Sequence, residues 1–135
     1  MKLEVAVLIF NKNNSHELNE YLFNSCVHDS KIEKTDIAPD GKSATVIIFN
    51  TWSMERVRFC FNNLSTLLFV DGSDLGARDT INYLALEKDF THLRPHLKDV
   101  EKFSQRSLYL LFQTFCGSEL HFVSEVVTIE VLQAD

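Results

Sequence analysis

The chain has 135 residues, 45% hydrophobic and 24% charged, with 4 Gly and 2 Pro, which excludes a disordered or fibrous polypeptide and fits one globular domain over residues 1–135. A domain of this length buries roughly two-thirds of its unfolded surface and needs no metal or disulfide to fold. Its net charge of −6 argues against a surface built to grip a phosphate backbone, and its longest aliphatic and aromatic run, Val5 to Phe10, is too short for a transmembrane helix.

Residues 2–10 alternate, with Leu3, Val5, Val7 and Ile9 on one face, and predict a strand. Asn14 and Glu17 have the N-cap and N3 spacing of a helix start, and Leu18, Leu22 and Cys26 give that helix an apolar stripe ending near His28. Residues 30–38 are mostly polar and predict an exposed edge strand. Pro39-Asp40-Gly41 supplies the preset φ and the positive φ of a turn. Beyond it Ala44 to Phe49 reads as a buried strand, so the pair predicts a hairpin.

Ser53 can cap a helix in which Met54, Val57, Phe61, Leu64 and Leu68 recur at spacings of three and four. The alternation of Val57, Phe59 and Phe61 offers a strand instead, and the five helical matches outweigh the three. Ser73 or Asp74 can cap a further helix carrying Ile81, Leu84 and Ala85. Pro95 suits the first turn of a third, whose stripe runs from Leu97 through Val100, Phe103, Leu108 and Leu111 to Phe115, with Gly117 past its end. Leu120 to Gln133 predicts the last strand.

The resulting order, β-α-β-β-α-α-α-β, predicts an α+β fold: a four-stranded, mostly antiparallel sheet with helices mainly on one face. In element order it resembles a ferredoxin-like core carrying a helical insert before the closing strand.

No motif for chemistry survives inspection. The stretch Val70-Asp71-Gly72-Ser73-Asp74-Leu75-Gly76 has neither the lysine of a P-loop nor a GxGxxG pattern, and its aspartates would repel phosphate. His92 and His96 are four apart, but Pro95 interrupts the helix a paired metal site needs. Cys26, Cys60 and Cys116 are an odd, widely spaced set among apolar neighbours, as expected for reduced, buried thiols in a cytoplasmic protein, and no secretory signal pattern precedes them. Lys31, Lys34, Lys42, Arg56 and Arg58 are interleaved with Glu33, Asp36, Asp40 and Glu55, which leaves little field for nucleic acid. Neither an enzyme nor a metal or cofactor site is expected.

Charge is what remains. Residues 1–67 carry a net −1 and residues 68–135 a net −5. A compact acidic domain without motifs is expected to act through its surface, as an immunity protein or inhibitor of bacterial or phage origin that neutralises a basic toxin or enzyme. Asp71, Asp74 and Asp79, with Glu119, Glu125 and Glu130 on the last strand, are the candidate contacts for such a basic protein partner. Two other classes stay open. One is a small-molecule sensor or small enzyme with a cleft between sheet and helical insert; the other is a structural subunit of a complex. An apolar pocket with one or two polar groups would favour the cleft, and a flat acidic patch with aromatic anchors the inhibitor.

Overall fold

Alternation governs this chain far more than its helical spacings suggest. The computed structural model describes residues 6–25, 27–71 and 80–132, the side chains of Ala6 and His92 excepted. Seven strands form one antiparallel sheet: β1 (Ala6–Phe10), β2 (Lys31–Ile37), β3 (Ser43–Asn50), β4 (Glu55–Val70), β5 (Ile81–Leu86), β6 (Leu108–Thr114) and β7 (Glu119–Leu132). The described α-helices are short, α1 (Ser15–Asn24) and α2 (Val100–Arg106). The four-stranded α+β sheet with several helices, and with it the ferredoxin-like analogy, is therefore overturned.

The strand order is β2-β3-β4-β7-β6-β5, and β4 and β7 pair along nearly their full length. The other edge of β7 is shared: β6 pairs with Glu119–Ser124, and β1 with Val127–Val131. The sheet curls into a half-barrel whose end strands, among the described residues, meet only at their starts. There Lys31 bridges Thr80, and the Ile81 amide donates to the Ser30 carbonyl at 2.8 Å. The enclosed face holds the main core, in which Val46, Ile48, Phe59, Phe61, Phe112, Phe122 and Ile129 are fully buried, and α1 adds Leu18 and Leu22 to it. The outer face of β6 and β7 is covered as well. Phe90, Leu93, Leu97 and Val100 pack on Tyr109 and Val123.

This double coverage explains the misplaced helices. In β4, Val57, Phe59 and Phe61 point inward while Arg56, Arg58 and Asn62 alternate with them, so the period of two decides over the looser match to a helix. A register shift between Leu64 and Thr66 then changes which residues face inward, so Leu64 and Leu68 fall at helix-like spacing from Phe61 by accident. In residues 97–115 the apolar positions belong to two objects. Leu97 and Val100 sit in the outer cover, whereas Leu108, Leu110 and Phe112 line the interior of β6. Residues 81–86 are a strand, not the end of a helix, and the proposed caps Ser73 and Asp74 lie outside the described residues. Pro95 follows a 3₁₀ turn, Thr91–Leu93. Gly117, at φ +87°, closes the β6–β7 hairpin.

Other expectations hold in outline. The first strand is present over Ala6–Phe10, with Phe10 buried and Val7 and Ile9 exposed, and its expected start, residues 2–5, lies outside the described residues. The helix after it ends at Asn24 rather than near His28, with Cys26 outside the described residues. The hairpin is present, with Gly41 at φ +72° in its turn, and so is the last strand, over Glu119–Leu132, Gln133 lying outside the described residues. The helix entrance differs in detail. Asn11 caps a 3₁₀ turn, Lys12–Asn14, and Asn14 returns its side-chain oxygen to the Asn11 amide at 2.7 Å. β2 is an edge strand whose residues are exposed apart from Ile32. Amides across Lys31–Asp36 are accordingly expected to exchange faster than those across Thr45–Phe49, which lie between two partners. Equal protection of both segments in hydrogen-exchange mass spectrometry would contradict the edge position.

Candidate ligand-binding cleft

Because β2 and β5 touch only at their starts, the interior of the half-barrel opens beyond that contact. The opening is a cleft of about 420 Å³. β2 contributes Ile32, Thr35 and Ile37, the far end of β4 contributes Leu67, Phe69 and Asp71, and the β6–β7 hairpin contributes Thr114, Ser118 and Leu120. Register explains the lining. Leu67 and Phe69 stand opposite Phe122 and Leu120, and so share the enclosed face with the core. Ile32, Leu67 and Leu120 pack against that core, which makes the cleft its unfilled continuation. Ile37 and Phe69 are 53% and 59% exposed at its rim. Together they place exposed apolar surface at the mouth of the cleft.

Polar groups gather at one end. Cys116 is buried, with its Sγ 3.1 Å from Thr114 Oγ1 and 3.1 Å from Ser118 Oγ. The exposed Asp71 makes no ion pair among the described residues. The cleft thus presents an apolar trough ending in two hydroxyls and a carboxylate.

A second polar array lies on the outer face of the same strands. Tyr109 Oη is 2.5 Å from His121 Nδ1, His121 Nε2 is 3.1 Å from Glu119 Oε1, and Gln113 Nε2 donates to Glu119 Oε2 at 3.1 Å. A carboxylate can only accept, so in the neutral imidazole Nε2 carries the hydrogen and Nδ1 accepts from the phenol. Tyr109 is fully buried beneath Phe90, whose ring meets it edge-on at 5.4 Å. Burial first, and then the carboxylates of Glu87, Glu119 and Asp89, push its pKa above the ordinary value near 10. Above about pH 10 the native state therefore holds a proton that the unfolded chain has lost, and stability falls as pH rises. Tyr109→Phe is expected to make that alkaline loss shallower, while costing about 1–2 kcal/mol at neutral pH because His121 Nδ1 loses this partner. Urea unfolding of both proteins at neutral pH and above pH 10 checks this. The array reads as the polar fastening of the outer cover.

The proposed contact residues do not assemble into one patch. Glu119 is engaged by His121 and Gln113, Glu125 faces Arg106 at 3.5 Å, and Glu130 accepts from Arg58 at 2.9 Å, its cross-strand neighbour. Glu119 and Glu130 lie towards opposite ends of β7. Asp71 is on the cleft, and Asp74 and Asp79 lie outside the described residues. Burial first, then Glu130, raises the pKa of the Cys60 thiol, which keeps it protonated and unreactive. Among the described residues no group of three His, Cys, Asp or Glu side chains is placed to hold a metal. No described helix is long and apolar enough to cross a membrane.

Sequence reasoning missed the cleft, since its nine lining residues come from three separate stretches. The available signal was Phe69 and Val70 running apolar into Asp71 at the end of a strand.

No family model matches the chain, and no curated protein matches it. Its fold is similar to the crystal structure of an uncharacterized protein from Neisseria gonorrhoeae. The TM-score is 0.50 at 12% sequence identity, over 76% of this chain and 90% of that one. A likeness at that identity speaks to the fold alone.

Proposed function

We propose that this protein binds a small, largely apolar molecule that carries a protonated amine or similar donor at one end. The observation behind this reading is the apolar cleft of about 420 Å³ at the open end of the half-barrel, with Asp71, Thr114 and Ser118 grouped on one side of it. Its volume lies in the range of small-molecule sites, and barrel mouths are a common place for them. Asp71 carries negative charge and lacks a counter-ion among the described residues, so a cationic head group gains there what an anionic one loses. Cys60 and Cys116 are thiols, not joined in a disulfide, which accords with a cytoplasmic setting.

The reading as an acidic inhibitor of a basic protein has less support. Three of its carboxylates, Glu119, Glu125 and Glu130, already face partners within the fold, and a carboxylate so engaged offers a partner less charge.

Titration with the neutral fluorophore N-phenyl-1-naphthylamine tests the cleft. At about 0.4 kcal/mol per non-hydrogen atom it is expected to bind with a Kd on the order of 10 µM. Decylamine is expected to displace it at least tenfold better than decanoate at low salt, and Asp71→Asn to erase that preference. No saturable fluorescence change would defeat the proposal.

A further inference from the structure

β2 brings more than side chains to the open end of the half-barrel. The Ala38 amide donates to the Ser43 carbonyl at 2.9 Å, which fixes the hydrogen-bonding phase of the β2–β3 ladder. Counting back by twos, Asp36 and Lys34 also turn their backbone groups to β3. Thr35 and Ile37 therefore turn their N–H and C=O groups to the opposite edge. Along that edge, among the described residues, β2 meets only the bridge from Lys31 to Thr80. The side chains of the same two residues line the cleft, because Val46 and Ala44 opposite them are buried on the enclosed face.

Taking the cleft as the amine-binding trough proposed above, we infer that its ligand is a short extended peptide. That peptide is apolar at every second residue, bears a free N-terminal amine, and adds to β2 as a further antiparallel strand.

An open strand edge is recognised by another peptide backbone, which offers donors and acceptors at the spacing of Thr35 and Ile37. Ligand residues paired with those two lie two apart and send their side chains to the same face. That face is the trough of Leu67, Phe69 and Leu120. An alkyl amine fills the trough but leaves the edge unpaired. Charge fits the peptide as well. Asp71, the carboxylate on the cleft, attracts a terminal ammonium. The charged side chains of β2 do not oppose it: its two lysines balance its Glu and Asp. Glu33 is held by Arg56 at 2.6 Å, and Lys34 faces Asp36 at 3.3 Å, so the charges that commonly guard an edge strand are engaged with one another and with β4.

The peptide Ser-Leu-Ser-Leu-Ser, with a free amine and an amidated C-terminus, tests this on the full chain at low ionic strength. It is expected to displace N-phenyl-1-naphthylamine with a Kd on the order of 100 µM. At saturation it is expected to slow hydrogen exchange of the Thr35 and Ile37 amides at least tenfold, whereas decylamine leaves them unchanged. N-methylation of both leucines removes the donors that face β2 and is expected to weaken binding about tenfold. N-methylation of the serine between them is expected to have no such effect, since its amide faces away. Acetylation of the amine is expected to weaken binding about fivefold in the wild-type chain and not in Asp71→Asn. Decylamine binding without peptide binding, or peptide binding that ignores leucine N-methylation, overturns the peptide assignment and leaves the amine-binding trough standing. Loss of both ligands overturns both. Protection of Thr35 and Ile37 that grows with protein concentration in the absence of peptide assigns the edge to a second copy of the chain, and also overturns it.

Discussion

Phe122→Ala is expected to cost about 3–5 kcal/mol of stability. Phe122 is fully buried and stacks on Phe61 with ring centres 4.1 Å apart and planes within 4°. Phe112 meets it edge-on at 5.6 Å. Truncation removes the transfer free energy of the ring and both aromatic contacts, each worth about 0.5–1.5 kcal/mol beyond area. It also leaves a cavity between β4, β6 and β7, whose backbones are pinned by their ladders and cannot collapse into it. Phe122→Leu, which restores most of the volume, is expected to cost less than half as much. Urea unfolding of the two variants gives both numbers, and a loss below about 1 kcal/mol for the alanine variant would mean that the enclosed face is not the core.

Thr35→Trp is expected to weaken N-phenyl-1-naphthylamine binding on the order of 50-fold without loss of stability. Thr35 lies on the edge strand, exposed, with its side chain on the cleft. An indole there covers the apolar trough that Leu67 and Leu120 otherwise offer to a ligand. Displacing about three methylene-equivalents of ligand contact, at roughly 0.8 kcal/mol each, accounts for the factor. Stability is spared because aromatic residues suit strands and the new side chain covers apolar surface that water now touches. Unfolding by urea and probe titration on the same sample separate the two effects. Binding unchanged in a folded Thr35→Trp protein would move the probe to some other surface.

How far the sequence could be read depended on how many faces of each element are buried. β2 and the turn at Pro39-Asp40-Gly41 were legible because their polar residues and turn chemistry allow few alternatives. α1 was legible from a single stripe, Leu18 and Leu22, on an otherwise polar helix. β4 and β6 were not. Leu64 and Leu68 in one, and Tyr109 and Leu111 in the other, are apolar positions added to an alternating inward set by the register shift or the outer cover. With apolar residues on both faces, a strand acquires spacings of three and four that a helix also has. The acidic residues were legible as charge but not as surface. That Glu130 would stand opposite Arg58, or Glu119 beside His121, depends on the pairing of β4 with β7 and on the β6–β7 hairpin. Those pairings follow from the whole sheet and not from any local run.

The most direct test of ligand binding at the open end of the half-barrel is an amide chemical-shift titration of the full chain with decylamine. Saturable shifts are expected at Ile32, Thr35, Ile37, Phe69, Asp71, Ser118 and Leu120, with α1 and the helix-covered outer face unmoved. Shifts centred on those other surfaces, or none at concentrations up to decylamine's solubility, would contradict it.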